Sequence, residues 1–209
     1  MITENLFVIF APGLGGNHLS NLLSLTERFN RNVDFSKYNN LIDHAHFSKI
    51  PNLKIKTIGD HLDELLTVNN VLCGHVGEYH WLKQSGIAEQ FKNKKFLIVS
   101  LPSKDTLAYS RMTSLYPPML DEYFYQEQRW LYSQEILEKI FEEDDFFEIS
   151  SEIIFSDNVS KLFEFIDCNF CTTIDRVQAE DIHRLWINKI KFSSTHRWQS
   201  GQMQRIANP

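Results

Sequence analysis

The chain has 209 residues, enough for one substantial domain, with 43% hydrophobic and 23% charged residues, ordinary for a globular protein. Its formal net charge of −6 excludes broad nonspecific nucleic-acid binding and leaves room only for a local basic pocket. No apolar run approaches the roughly 20 residues that span a bilayer, so no membrane partner is expected. Glu4 at the start of the chain does not fit a signal peptide, and three cysteines, Cys73, Cys168 and Cys171, fit a reducing compartment, so a cytoplasmic location is expected.

Taken in order, Leu6–Phe10 is an unbroken apolar run, which predicts a strand buried on both faces. Pro12, Gly13, Gly15 and Gly16 predict a sharp turn that brings backbone N–H groups to the surface. Leu19, Leu22 and Leu23 then follow at helical spacing. A strand, a glycine turn and a helix start together make an anion site, so Gly13, Leu14, Gly15, Gly16, Asn17 and His18 are candidate phosphate-binding residues. The other reading is a plain turn between two core elements. The loop has neither the lysine of a Walker A motif nor the third glycine of a dinucleotide fingerprint, since Asn17 and His18 stand there instead.

Residues 24–50 read as a polar excursion, in which His44 and His46 lie two apart without a third partner for a metal. Lys54–Ile58 alternates as an edge strand would, and Asp60 is placed to cap a short helix carrying Leu62, Leu65 and Leu66. Asn70–His75 predicts a second central strand, and Tyr79, Leu82 and Ile87 a looser helix. Phe96–Pro102 predicts a third buried strand, and Asp105 or Thr106 the start of a helix with Leu107, Arg111 and Leu115, ended by Pro117-Pro118. Asp121 to Glu143 reads as one long helix rich in aromatics: Tyr123, Phe124, Tyr125, Trp130 and Tyr132. A fourth strand, Phe146–Ile149, precedes a helix capped by Ser156 or Asp157. Asp175 starts the last helix, with Ile182, Leu185, Trp186 and Ile190 as its apolar face. Cys168-x-x-Cys171 has no second pair to complete four zinc ligands, so no metal is expected.

Strands alternating with helices predict one α/β domain over 1–209, a three-layer α/β/α arrangement around a mostly parallel sheet. The order of segments resembles the sulfotransferase family, P-loop-like proteins that use the sulfate donor PAPS. Phe10–Leu19 is similar to the family's strand followed by P-[KR]-x-G-[TS]-[TS]-x-L, with Pro12, Gly15 and Leu19 matching. Phe96–Pro102 and the helix to Leu115 look like its strand ending in R-D-P with a serine-bearing helix. Phe147–Asp157 with Leu162–Ile166 is similar to its third element, with Glu152 and Asp157 where that pattern has acids. The chain departs from the family at Gly13, where the motif has Lys or Arg, at Ser100, where it has Arg, and at Ala108, where it has Ser.

The resemblance implies transfer of a sulfuryl group from PAPS to a hydroxyl of a carbohydrate or small metabolite. The loop Gly13–His18 would hold the 5′-phosphosulfate, Ser100, Ser110 and Arg111 the 3′-phosphate, and His75 would act as base, with His18 donating to the anion. Thr195–Trp198 would fold over the nucleotide. The missing loop cation leaves a second reading, a P-loop-like binding or assembly module without catalysis. A phosphoryl kinase ranks below both, for want of a Walker lysine and a clear magnesium-binding acid.

Overall fold

The computed structural model describes residues 4–29, 62–67, 69–104, 106–113, 121–141, 146–170, 172–188 and 190. Four strands, β1 (Asn5–Ile9), β2 (Asn70–Gly74), β3 (Lys94–Ser100) and β4 (Phe146–Ser150), form an all-parallel sheet in the order β2-β1-β3-β4. The helices are α1 (Gly16–Ser24), α2 (Leu62–Leu65), α3 (Val76–Gln84), α4 (Leu107–Thr113), α5 (Asp121–Leu131), α6 (Gln134–Phe141), α7 (Ser151–Ile154), α8 (Ser160–Phe170) and α9 (176–188).

The unbroken apolar runs follow from coverage on both faces. Side chains of Leu6, Val8, Leu97 and Val99 enter one core with α1, α8 and α9; those of Phe7, Ile9, Phe96 and Ile98 enter another with α3 and α6. Each strand therefore serves two cores through its period of two, the layering expected of a three-layer α/β/α protein. The connection leaving β1 turns toward β2, whereas the one leaving β3 turns toward β4. Their carboxyl ends thus flank a topological switch point, the place where ligands bind in open α/β sheets.

The expected strand near residue 96 begins two residues earlier and ends at Ser100, and Thr106 caps α4 by accepting the Tyr109 N–H at 3.1 Å. Asp175 likewise accepts the Gln178 N–H at 3.1 Å. Three expectations are corrected. The single helix from Asp121 is two helices, because Ser133 ends α5 with its hydroxyl donating to the Trp130 carbonyl and opens α6 by accepting the Leu137 N–H on its own carbonyl. The helix assigned to Ser156 or Asp157 starts at Ser160, where the Asn158 side chain accepts the Ser160 N–H at 3.1 Å. On α9 the inward face is Ala179, Ile182, His183, Ile187 and Ile190, while Leu185 is exposed. His44, His46, Lys54–Ile58, Asp60, Asp105, Glu142–Asp145, Cys171 and Thr195–Trp198 lie outside the described residues.

At the amino end of the sheet, Arg28 binds both carboxylate oxygens of Glu4 and donates to the Phe170 carbonyl, with Lys95 3.0 Å from Glu4. Burial alone raises the Glu4 pKa, but the hydrogen bonds from Arg28 and Lys95 outweigh it and hold the carboxyl below its usual range. This cluster therefore stabilises the fold above the ordinary glutamate pKa and loses that effect as the pH falls below it. Arg28→Ala should destabilise by about 1–3 kcal/mol at neutral pH, measured by urea unfolding, because it removes from a partly buried carboxylate the partner that binds both its oxygens and leaves only Lys95. The deficit should shrink on acidification.

Candidate functional site

Phe10 leaves the central strand and its N–H donates to the Gly74 carbonyl of β2 at 3.1 Å. The chain then turns through Gly13 (φ 87°) and Gly15 (φ 75°), where Gly15 is the N-cap of α1 in the left-handed region. A residue with a Cβ is strained at such a φ, which accounts for the glycine. Leu14 N–H closes the turn on the Ala11 carbonyl at 3.2 Å. No side chain caps α1, and among the described residues the N–H groups of Gly13, Gly15, Gly16 and Asn17 have no acceptor. Four uncommitted donors at the start of a helix on the central strand form a positive end.

His75 sits beside this turn as N-cap of α3, one residue past β2, the strand paired with β1. Its Nδ1–H donates to the Phe10 carbonyl at 2.6 Å, and its backbone N–H donates to Glu78 Oε2 at 2.9 Å. A carbonyl only accepts, so the proton of the neutral ring is on Nδ1 and Nε2 carries the lone pair. The ring also meets the Phe10 ring edge-on, with centroids 5.1 Å apart. The Asn17 Oδ1 accepts from the Cys73 thiol of β2 at 3.2 Å.

The other candidates are spread around this centre. Ser100, at the end of β3, donates its hydroxyl to the Ile149 carbonyl at 3.3 Å, so it ties β3 to β4. Ser110 is exposed and Arg111 buried, so these neighbours leave α4 on different sides. Glu152 accepts the Ser103 N–H at 3.2 Å and thereby fixes the loop after β3. Among the described residues no group of three His, Cys, Asp or Glu side chains is arranged to hold a metal, and no helix is long and apolar enough to cross a membrane.

His18 is placed differently from the expectation. Its ring is 2% exposed, stacked on Trp186 at 4.0 Å with planes 4° apart, and its Nε2 lies 3.0 Å from His183 Nδ1. His183 Nε2–H donates to the Ser156 carbonyl at 2.8 Å. That bond leaves His183 Nδ1 as the acceptor, so His18 Nε2–H donates to it. Burial, and secondarily the neighbouring His183, push the His18 pKa well below its ordinary value; burial also lowers that of His183. The Nε2–H of this buried imidazole is already given to another ring, so it does not serve the donation to a bound anion expected of residue 18. His183 and Trp186 are contacts that sequence reading missed as site residues. His183 differs in type from the apolar neighbours on its helix face, which was the one local signal.

Comparison with protein-family models, curated proteins and solved structures finds no match to this chain.

Proposed function

We propose that the turn from Gly13 to Asn17 binds a phosphate-bearing donor, and that the protein is a sulfotransferase-like enzyme moving a sulfuryl group from PAPS to a hydroxyl of a carbohydrate or small metabolite. The observation that carries this reading is the set of four N–H groups at the carboxyl end of the central strand that have no acceptor among the described residues, with the His75 ring tied by Nδ1–H to the Phe10 carbonyl just before the turn. In the reaction the acceptor oxygen attacks sulfur, and the bond to the 5′-phosphate oxygen breaks. His75 Nε2 takes the acceptor's proton, and its Nδ1–H bond to Phe10 holds the ring in the required tautomer. The loop amides hydrogen-bond the phosphate that leaves as PAP, where negative charge grows. They replace, in kind, the cation absent at Gly13. Arg111, whose planar guanidinium suits bidentate contact with a phosphate, stands on the helix after β3 as the candidate for the 3′-phosphate.

Calorimetry with PAP is the direct test: saturable heat and a raised melting temperature are expected, both lost in Gly15→Val. No heat and no thermal shift at millimolar PAP would overturn the reading. His75→Gln should lower the transfer rate by about 10²–10⁴-fold while leaving PAP affinity within a few fold, because the residue acts on the acceptor proton. A second reading, a binding module without catalysis, draws support from Tyr123 and Trp130, which are 74% and 62% exposed on α5. Under that reading PAP binds, no acceptor turns over, and the chain associates as its concentration rises in light scattering.

A further inference from the structure

Three chain segments meet at one buried node beside the glycine turn. From α1 comes His18; from the stretch after α7 come Phe155 and the Ser156 carbonyl; from α9 come His183 and Trp186. The hydrogen bonds run in one direction, from His18 Nε2–H to His183 Nδ1 and from His183 Nε2–H to Ser156, and neither ring has a spare proton to give. Trp186 stacks on His18 and lies over Gly15, where an added Cβ would stand 3.0 Å from its ring and 3.2 Å from Ile154. So α9 reaches the turn through a contact that depends on two neutral imidazoles.

We propose that the His18–His183 pair is an acid-released latch, which holds α9 and Trp186 against the turn at neutral pH and lets them go when the pair takes up a proton. A proton on His183 Nδ1 sets two N–H groups against each other across 3.0 Å while His18 keeps its proton on Nε2, and a shift of that proton to His18 Nδ1 relieves the clash only by leaving a charge on His183, itself 2% exposed. A proton on His18 instead puts a charge in a site that is 2% exposed. Both outcomes oppose docking. Among the described residues, the titratable groups facing the pair are His183 for His18 and, for His183, Asp157 beside Ser156. Burial lowers the pKa of both rings, but at His183 the Ser156 carbonyl and Asp157 oppose it, whereas at His18 the neighbouring His183 reinforces it, which places the first proton on His183. Release uncovers Gly15 and loosens the start of α1, so the latch regulates the proposed anion site. That consequence rests on the phosphate-binding reading, whereas the undocking itself does not.

The test follows amide hydrogen exchange of the full chain, corrected for intrinsic rates, together with ring-nitrogen NMR of the histidines, from about pH 7.5 to about pH 5. In the unaltered protein, protection over 176–188 should fall by about tenfold or more while β1 and β3 keep theirs. The His18 and His183 rings should show neutral Nε2–H tautomers at the upper pH and lose them together with that protection. In the double variant His18→Gln, His183→Gln, whose amides donate and accept in the same sense without titrating, the acid transition should vanish. Constant protection over 176–188 across the range, equal loss in β1 and β3, or ring titration at a pH unrelated to the helix would each overturn the latch; the NMR result stands even if the double variant does not fold. Inorganic pyrophosphate, titrated at both ends of the pH range, separates the two ideas. If it binds at neither, the anion reading falls and the latch is untouched; if it binds and no acid transition occurs, the reverse holds.

Discussion

Phe7→Ala is expected to lower the unfolding free energy by about 3–5 kcal/mol, read as a lower urea midpoint with little change in slope. Phe7 sits in the middle of the central strand and is fully buried. Its ring meets Tyr79 at 5.4 Å, Phe91 at 5.6 Å and Phe96 at 5.4 Å, so truncation empties a space walled by aromatic rings from α3, the following loop and the adjacent strand. Such rings refill a void poorly, which leaves both the lost transfer energy and the cavity. A typical domain has only about 5–15 kcal/mol of stability, so the variant should be close to unfolding at moderate temperature. A cost below about 1 kcal/mol would show that the core on this face is loosely packed.

Gly16→Ala is the second large effect, and it reaches the site directly. A Cβ there would lie 1.9 Å from Phe10 Cδ1 and 2.1 Å from Cγ, atoms close to the ring's attachment and not at a free end. Alanine would improve helix propensity by about 1 kcal/mol at most, while overpacking costs about 1–3 kcal/mol and sometimes more, so steric conflict should win. Phe10 is buried, and its carbonyl fixes the His75 ring, so moving Phe10 also shifts the proposed base. Gly16→Ala should therefore lower the melting temperature and alter His75 ring-nitrogen shifts. The second-site change Phe10→Leu should recover part of both by making room. A stabilised Gly16→Ala with unchanged His75 signals would show that the Phe10 ring gives way at no cost.

The outline of the sheet was legible in particular residues. Leu6–Phe10 and Phe96–Val99 contain no polar break, and that pattern suits only strands with helices on both sides, which is the arrangement found. Of the two residues offered for the start of α4 it is Thr106 that caps it, and Asp175, expected at the start of the last helix, caps that one, because a cap is a bond between residues two or three apart. Ser133 shows the limit. Local spacing from Asp121 onward is helical throughout, yet the Ser133 hydroxyl and carbonyl divide it so that α5 packs into one core and α6 into the other.

The site divides along the same line. From the chain alone, Gly13, Gly15 and Gly16 announce a tight turn after a buried strand, and His75 announces an imidazole at a strand's carboxyl end. Which nitrogen of His75 carries the proton depends on the Phe10 carbonyl, 65 residues away. That His18 is buried, neutral and bound depends on His183, 165 residues away, and on Trp186 beside it. Short-range order is written in the sequence because it needs only neighbours along the chain. Protonation, burial and the roof over Gly15 were decided by the tertiary fold, since each is set by groups that come together only when distant segments pack.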